Sequence, residues 1–240
     1  QLIDFNTIGL LLGMMLIVAI LGETGVFGWV AIKATELSNG SPWRLMVILC
    51  TFTAVVSAFV DNVTVILLMI PVTLTIFRSL NRSPIPYVIA QTMCSNIGGA
   101  STLIGDPPNI IIGSAAGIDF TSFLLGMGPT VAITFVSSLF ILRLFFAKEL
   151  NTRFDEKVIE EFRQNHLIKD KNLLKKSIVI LAGVIFFFII QGFIGIEVSL
   201  IAFAGAALLL VITRFNVEKI MHEIDWSTLL FFTGLFIVIG

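Results

Sequence analysis

A polar, glycine-rich stretch separates two apolar runs, and this break constrains the fold more than any other feature of the sequence. The stretch is Ser95–Asn109, and the apolar runs are Tyr87–Met93 and Ile110–Ala116. Bilayer hydrocarbon offers no partners to free backbone groups, so such a break survives at membrane depth only where protein or a water-filled cavity surrounds it. The stretch is therefore predicted to form a binding site.

The expected local structure is a broken helix. A first helix is predicted from about Pro86 to Leu103, then an unwound turn at Gly105–Asn109, then a second short helix from Ile110. About ten apolar residues follow the turn, too few to cross a ~30 Å hydrocarbon core alone. The break is therefore placed inside the bilayer, although an ordinary loop before a helix is the simpler alternative.

The residues at this break predict two oppositely charged helix ends. Asp106 is expected to cap the second helix by accepting hydrogen bonds from free amides, and Pro107 and Pro108 fit its first turn, where no intrahelical N–H is needed. The carbonyl end of the first helix then favours a cation, and the amide end of the second favours an anion.

A second polar break, Ser57–Thr64, divides the apolar stretch Leu45–Phe77. Its two arms of about sixteen residues are short for two full spans but fit a re-entrant helical hairpin with Asp61 and Asn62 at the tip. Asp61 is the only charged residue within the apolar stretch. A charge left unpaired in lipid costs at least ~2.5 kcal/mol, so Asp61 is a functional candidate, and it can also cap the second arm.

The composition excludes an ordinary soluble domain. The chain is 57% hydrophobic and 13% charged, with a mean hydropathy of +1.01, which predicts an all-α polytopic membrane protein surrounded by a lipid bilayer. A net charge of −1 gives no sign of nucleic-acid binding. Cys50 and Cys94 lack metal-site spacing, so no disulfide, zinc site or other cofactor is predicted. The chain starts at Gln1 and stops within an apolar run, so a longer protein is expected.

An internal repeat is predicted from two similar segments that begin at Ile3 and Ile224. At this constant offset of 221 residues both read Ile-Asp-aromatic-polar-Thr, and both carry a glycine six positions after the threonine. Chance similarity between apolar segments is common, but the shared start with a glycine in register favours duplication.

Lys and Arg residues predict the orientation. With the 148–176 loop in the cytoplasm, every loop that carries Lys or Arg falls inside, and Gln1–Phe5, Gly117–Phe120 and Gly192–Glu197, which carry none, fall outside. Five crossings then separate the two repeat starts, so the repeats are inverted, and a hairpin of two full spans would give the same parity. The predicted units are a first transport repeat at 1–147, with its hairpin at 42–78 and broken helix at 86–116, a charged loop at 148–176, linking helices at 177–223, and the truncated start of a second repeat at 224–240.

The two breaks together resemble a known family. Asp61-Asn62-Val63-Thr64 followed by Pro71, with Ser95-Asn96-Ile97-Gly98-Gly99 and Gly105-Asp106-Pro107-Pro108-Asn109, is similar to the ion transporter superfamily. The closest likeness is to the citrate-transporter-like branch that contains the melanosomal P protein and the arsenite permease and sodium/proton antiporter relatives. The resemblance implies an inverted-repeat transporter, elevator-like movement of the hairpin and broken helix, and a homodimer.

The sequence departs from the dicarboxylate and citrate members of that superfamily. Those members carry a Ser-Asn-Thr hairpin tip and a Gly-Thr-Pro-Pro-Asn loop. Here Asp61 stands in place of the serine, Val63 replaces the tip threonine, and Asp106 replaces the loop threonine. Fixed negative charge repels an anionic cargo unless cations or protons neutralise it, so a dicarboxylate cargo is disfavoured.

The leading functional prediction is an ion-coupled secondary transporter, permease or antiporter for a small ion or oxyacid such as Na⁺/H⁺ or arsenite. Sodium- or proton-coupled transport of di- or tricarboxylates is the main alternative. A channel and an intramembrane aspartyl protease are further alternatives, the protease being disfavoured because a broken helix has no role in its chemistry. The protein is expected in the plasma or inner membrane.

The predicted substrate and ion site draws on both breaks. Na⁺ is expected at Asp61, Asn62, Asp106 and Asn109 with broken-helix carbonyls, or protons on the two carboxylates, whose pKa values partial burial would raise. The full predicted site, with no catalytic residue, is Asp61, Asn62, Thr64, Ser95, Asn96, Gly98, Gly99, Ser101, Thr102, Gly105, Asp106, Pro107, Pro108 and Asn109.

Overall fold

The computed structural model describes residues 4–80, 82–151, 153–154, 171–215 and 217–239, and this part of the chain is built of helices and their connections. The predicted all-α class is confirmed. In chain order the helices are α1 (Phe5–Glu23), α2 (Val26–Ser38), α3 (Pro42–Ser57), α4 (Asn62–Ser79), α5 (Ile85–Gly99), α6 (Pro107–Ala116), α7 (Phe120–Phe145), α8 (Ala147–Leu150), α9 (Lys171–Ile194), α10 (Val198–Thr213), α11 (Val217–Glu223) and α12 (Trp226–Ile239).

Four described helices are long and apolar enough to cross a bilayer. They are α1, α4, α7 and the part of α9 from Asn172 to Ile194, and α3, α10 and α12 are shorter apolar helices. This confirms a multi-pass membrane protein. The charged segment 214–223 contains the short helix α11 rather than loop alone, and α9 begins at Lys171, inside the predicted 148–176 loop. Residues 155–170 of that loop lie outside the described residues.

The helices α3 and α4 form a hairpin. The start of α3 and the end of α4 lie together at one end of the bundle. The Tyr87 hydroxyl at the start of α5 donates to the Pro42 carbonyl at 3.4 Å, and the Phe77 and Tyr87 ring centroids lie 3.9 Å apart. The first residue of α3 and the end of α4 therefore meet beside the start of α5, and the tip points towards the broken helix. The depth of this tip in a membrane stays a prediction.

A buried polar layer joins the hairpin to α5. The Thr73 hydroxyl donates to the Gln91 side-chain carbonyl at 2.7 Å, and the Gln91 amide reaches the Thr53 hydroxyl at 3.5 Å. All three side chains are at most 1% exposed. Because buried polar groups without partners destabilise a fold, this layer fixes α3, α4 and α5 in one register.

Small residues bring α1 and α10 together. The Asn6 side-chain carbonyl accepts from the Ser199 amide at 3.1 Å, so the two helices start at the same end and run parallel. A Cβ added at Gly13 would lie 2.8 Å from the Ala202 carbonyl carbon. Glycines at such positions let membrane helix backbones approach closely, and Gly9 faces the same partner one turn earlier.

The connections between helices group at the two ends of the bundle. At one end Asn6 meets Ser199, and the Thr121 hydroxyl donates to the Ile189 carbonyl at 2.8 Å. At the other end Glu23 pairs with Lys219, the Phe154 amide donates to Gly40, and Lys176 donates to Ile212. Among the described residues, Lys176 and Lys219 therefore lie at this second end. Which end faces the cytoplasm stays a prediction.

The two segments that predicted a repeat have the same helix cap. The Asp4 carboxylate accepts from the Thr7 hydroxyl at 2.8 Å at the start of α1, and Asp225 accepts from the Thr228 hydroxyl at 2.6 Å at the start of α12. Burial acts to raise the pKa of Asp4, but hydrogen bonds from Thr7, Ser114 and Asn6 outweigh burial and hold that pKa below its usual value. The two caps lie at opposite ends of the bundle. The extent of a repeated unit stays a prediction.

We expect Gly13→Ala to destabilise the protein by about 1–3 kcal/mol, because the added methyl group must push α10 away from α1. The measurement is the midpoint of thermal unfolding in detergent. Gly126→Ala is the matched control, since a Cβ at Gly126 in α7 meets no atom within 4 Å. Equal midpoints for the two variants would contradict the close packing of α1 on α10.

Candidate functional site

The unwound segment lies earlier than predicted. The first half-helix, α5, ends at Gly99 rather than Leu103, residues 100–106 are unwound, and α6 begins at Pro107 rather than Ile110. The cause is a contact between distant parts of the chain. The buried Thr102 hydroxyl donates to the Ala58 carbonyl at the hairpin tip and accepts from the amides of Ile104 and Gly105 at 3.2 and 3.1 Å. The segment folds around Thr102 instead of continuing the helix.

Asn109 closes the unwound segment. Its side-chain amide donates to the Gly99 carbonyl at 3.1 Å and to the Thr102 carbonyl at 2.9 Å. These carbonyls were expected to be open to a cation, but this structure satisfies them with Asn109. The Asn109 side-chain oxygen has no hydrogen-bond partner among the described residues.

Asp106 occupies the N-cap position of α6, but its side chain caps no amide, contrary to the prediction. Pro107 and Pro108 supply no N–H, and the Asn109 amide donates to the Asp106 backbone carbonyl at 2.9 Å. The carboxylate instead accepts from the side-chain amide of Asn62, which lies at the hairpin tip, at 3.2 Å. Its other oxygen has no partner within the described part of the chain.

Asn62 connects the two breaks. Its side-chain amide also approaches the Asn96 side-chain oxygen at 3.3 Å, and its own oxygen accepts from the Ser57 hydroxyl at 2.7 Å. The Ser95 hydroxyl donates to the Asn62 backbone carbonyl at 3.2 Å and lies 3.1 Å from the Ser57 hydroxyl. We call Ser57, Asn62, Ser95, Asn96 and Asp106 the polar junction.

Asp61 lies beside the polar junction but bonds to its own helix. It is 8% exposed, and its carboxylate accepts from the Thr64 amide at 3.0 Å as the N-cap of α4. Thr64 therefore contributes its backbone rather than its hydroxyl. No hydrogen bond among the described residues joins Asp61 to Asp106, so the two carboxylates do not form a bonded pair.

Three glycines allow the hairpin tip to approach the broken helix. A Cβ at Gly98 would overlap the Ala54 carbonyl oxygen, and one at Gly99 would overlap the Asn62 side-chain oxygen. A Cβ at Gly105 would lie 2.6 Å from the Ser57 carbonyl oxygen. Side chains at these positions would separate the two breaks, so the three glycines are required for this packing.

The remaining predicted residues lie around the polar junction without bonding to it. The Ser101 hydroxyl donates to the Gly98 carbonyl at 2.5 Å, and Pro107 and Pro108 form the first turn of α6. Within the described ranges no group of three or more His, Cys, Asp or Glu residues could hold a metal ion. Oxygen atoms of Asp, Asn and Ser side chains are thus the ligands that the junction offers.

Sequence reasoning missed four polar residues. Ser57 was recognised as the start of the hairpin break but not as a site residue, although it bonds directly to Asn62. Thr53, Thr73 and Gln91 form the buried layer that holds the hairpin on α5. The signal was present, because Gln91 is an amide side chain inside the mainly apolar run Tyr87–Met93.

Comparison with known proteins gives several relatives. An uncharacterized transporter of Mycobacterium tuberculosis is 40% identical over 99% of this chain and 56% of its own length. The 46 kDa membrane protein of Mycobacterium leprae is 43% identical over the same shares. The P protein of Homo sapiens is 34% identical over 98% of this chain and 37% of its own length. The chain thus spans little more than half the length of the mycobacterial relatives.

These similarities confirm the resemblance drawn from the two motifs, including the likeness to the P protein. The family model described as citrate transporter matches residues 1–240. Because this is a family of transporters, the prediction that the chain is not an enzyme is confirmed, and the aspartyl protease alternative is removed. The chain therefore belongs to the citrate transporter family.

Proposed function

We propose that the protein is an ion-coupled secondary active transporter, and that the polar junction binds its coupling ion. The observation that carries this proposal is the hydrogen bond from Asn62 at the hairpin tip to Asp106 in the broken helix. A carboxylate placed at a helix break, against the polar tip of a second break, is the kind of site that secondary transporters use.

The coupling ion is Na⁺ or a proton. Hard cations prefer oxygen ligands, and Asp61, Asp106 and Asn109 each have one side-chain oxygen without a hydrogen-bond partner in the described part of the chain. Asp106 is the proposed principal ligand, because its charge receives a single hydrogen bond from the neutral Asn62 side chain. Asp61 adds negative charge from the tip, and Asn62 positions Asp106.

The cargo proposed first is a small cation or a small oxyacid such as arsenite, which two fixed carboxylates would not repel. The second candidate is a di- or tricarboxylate such as citrate, and the match to the citrate transporter family model favours it. In that case bound Na⁺ or protons must first neutralise the junction, which would couple cargo binding to the ion.

The transport cycle is proposed to use two inverted repeats. Support comes from the identical Asp-Thr caps at opposite ends of the bundle, which two oppositely oriented copies would produce. The first repeat would cover 1–147 and the second would start at 224, with 148–176 and 177–223 between them. Movement of the hairpin with the broken helix, a homodimer, and a cytoplasmic 148–176 loop with the Gln1 end outside complete the proposal.

We expect Asp106→Asn to lower gradient-driven flux in proteoliposomes by roughly tenfold or more. The substitution removes the negative charge that is proposed to bind the coupling ion, and an interaction with a charged group contributes about 1.5–3 kcal/mol. Asp61→Asn should also impair coupling while preserving the fold, since asparagine is an equally good N-cap. Asp119→Asn is the matched control, because Asp119 caps α7 at the bundle end, away from the polar junction. Flux near the wild-type level in both junction variants would refute the proposal.

A second experiment decides the cargo. Proteoliposomes that contain the full-length protein are assayed for Na⁺/H⁺ exchange, arsenite transport and citrate transport under an imposed Na⁺ or pH gradient. We expect saturable, gradient-driven transport of the cation or arsenite, with no flux of free citrate in the absence of both gradients. Citrate uptake coupled to Na⁺ or protons, without cation exchange or arsenite flux, would establish the second candidate instead.

A third prediction concerns the part of the mycobacterial relatives that this chain does not match. If the repeat is real, that part contains two apolar stretches, each interrupted by a short polar break, at a spacing similar to that between Asp61 and Asp106. Two such breaks would complete a site assembled from both copies. Uninterrupted spans of ~20 residues throughout would contradict the inverted repeat.

A further inference from the structure

A polar pocket lies at the bundle end that carries Lys176 and Lys219, far along α7 from the polar junction. It has a volume of about 420 Å³ and lies between the start of α3, the end of α7 and the segment after α8. Its lining includes Ser41, Trp43, Phe140, Arg143, Leu144 and Arg153.

One wall of this pocket, formed by Arg143 and Arg153, is positively charged. The Arg143 guanidinium lies 5.1 Å from the centre of the Trp43 ring, a cation–π contact that holds it over the pocket. Arg143 and Arg153 are exposed, and neither forms an ion pair with a described carboxylate. The nearby exposed pair Lys148 and Glu149 does not line the pocket. Two guanidinium groups that have no ion-pair partner in the described part of the chain thus line one cavity.

The start of α3 adds to this positive wall. Ser41 accepts from the Arg44 amide at 3.4 Å as the N-cap, and Pro42 is the first helical residue. The N-terminus of a helix of this length carries a partial positive charge that favours an anion. The arginines and the helix end therefore select the same sign of ligand charge.

Another wall of the pocket is apolar and exposed at the surface of the bundle. Phe140 and Leu144, on successive turns of α7, are each 64% exposed, and both line the pocket next to Trp43. In a helix that crosses a bilayer, such side chains face acyl chains, and a tryptophan and an arginine at its end lie at the headgroup level. The pocket is thus charged on one side and lipid-facing on the other.

We infer that this pocket binds an anionic phospholipid, with the phosphate between Arg143 and Arg153 and an acyl chain along Phe140 and Leu144. A free phosphate would satisfy the arginines but leave the apolar wall uncovered. A zwitterionic lipid would bring its own cation towards the guanidinium groups. Because the pocket is shared by α3 and α7, the bound lipid would connect the hairpin to its neighbouring span.

The test titrates the full-length protein in detergent with dioctanoyl phosphatidylglycerol, with dioctanoyl phosphatidylcholine, and with inorganic phosphate, following binding by calorimetry. We expect Arg143→Gln and Arg153→Gln each to weaken phosphatidylglycerol binding about fivefold, which corresponds to about 1 kcal/mol for each basic residue near an anionic lipid. Arg143→Lys should retain most of the affinity. Arg78→Gln, an exposed arginine at the same end outside the pocket, should leave it unchanged.

Arg153 lies outside the helices, so its variant keeps the test decisive even where Arg143→Gln fails to fold. Equal binding of phosphatidylcholine and phosphatidylglycerol would overturn the inference. So would equal losses in Arg78→Gln and Arg153→Gln. Inorganic phosphate that displaces phosphatidylglycerol with similar affinity would show a simple anion site and would also overturn it.

Discussion

The hydrogen bonds of the Asn62 side chain are the interactions on which the rest of the site depends. In an apolar bundle every polar group needs a partner within the protein, and Asn62 supplies one to Ser57 in its own hairpin, and to Asn96 and Asp106 in the broken helix. Either break alone would leave these polar groups without protein partners. Each break therefore stabilises the other, which explains how two unwound segments persist in one small bundle.

Close backbone packing makes this pairing possible and also makes it rigid. Gly98, Gly99 and Gly105 let the tip contact the broken helix directly, and the buried contact from Gln91 to Thr73 repeats the connection nearer the open end of the hairpin. The hairpin and α5 are thus held at two levels. A unit joined in this way moves as one body more easily than it separates, and this supports the proposed elevator-like movement.

The sequence was sufficient where the physics is local. Apolar run lengths located the long helices α1, α7 and α9, and Asp61 was correctly considered as a cap of α4, because capping depends on the next few residues. The length of α4, which is enough for a span, was underestimated. Two of the failures involve contacts between distant parts of the chain. The end of α5 at Gly99 depends on Thr102 reaching Ala58, and no propensity near Thr102 reveals that partner. Ser57 was overlooked for the same reason.

Asp61 and Asp106 differ in how their charge is stabilised, and under the proposed function this difference gives them different roles. Asp61 accepts from a backbone amide at the start of an eighteen-residue helix, whose N-terminus favours a negative charge without any bound ion. Asp106 stands at the start of α6, where two prolines remove the amides that would do the same, so a single amide from Asn62 is its hydrogen-bond donor. The unbalanced charge of the junction is thus concentrated on Asp106. A cation or proton would be bound most strongly there, in contact with the residue that links the two breaks, so that occupancy of the ion site and closure of the hairpin on the broken helix would depend on each other.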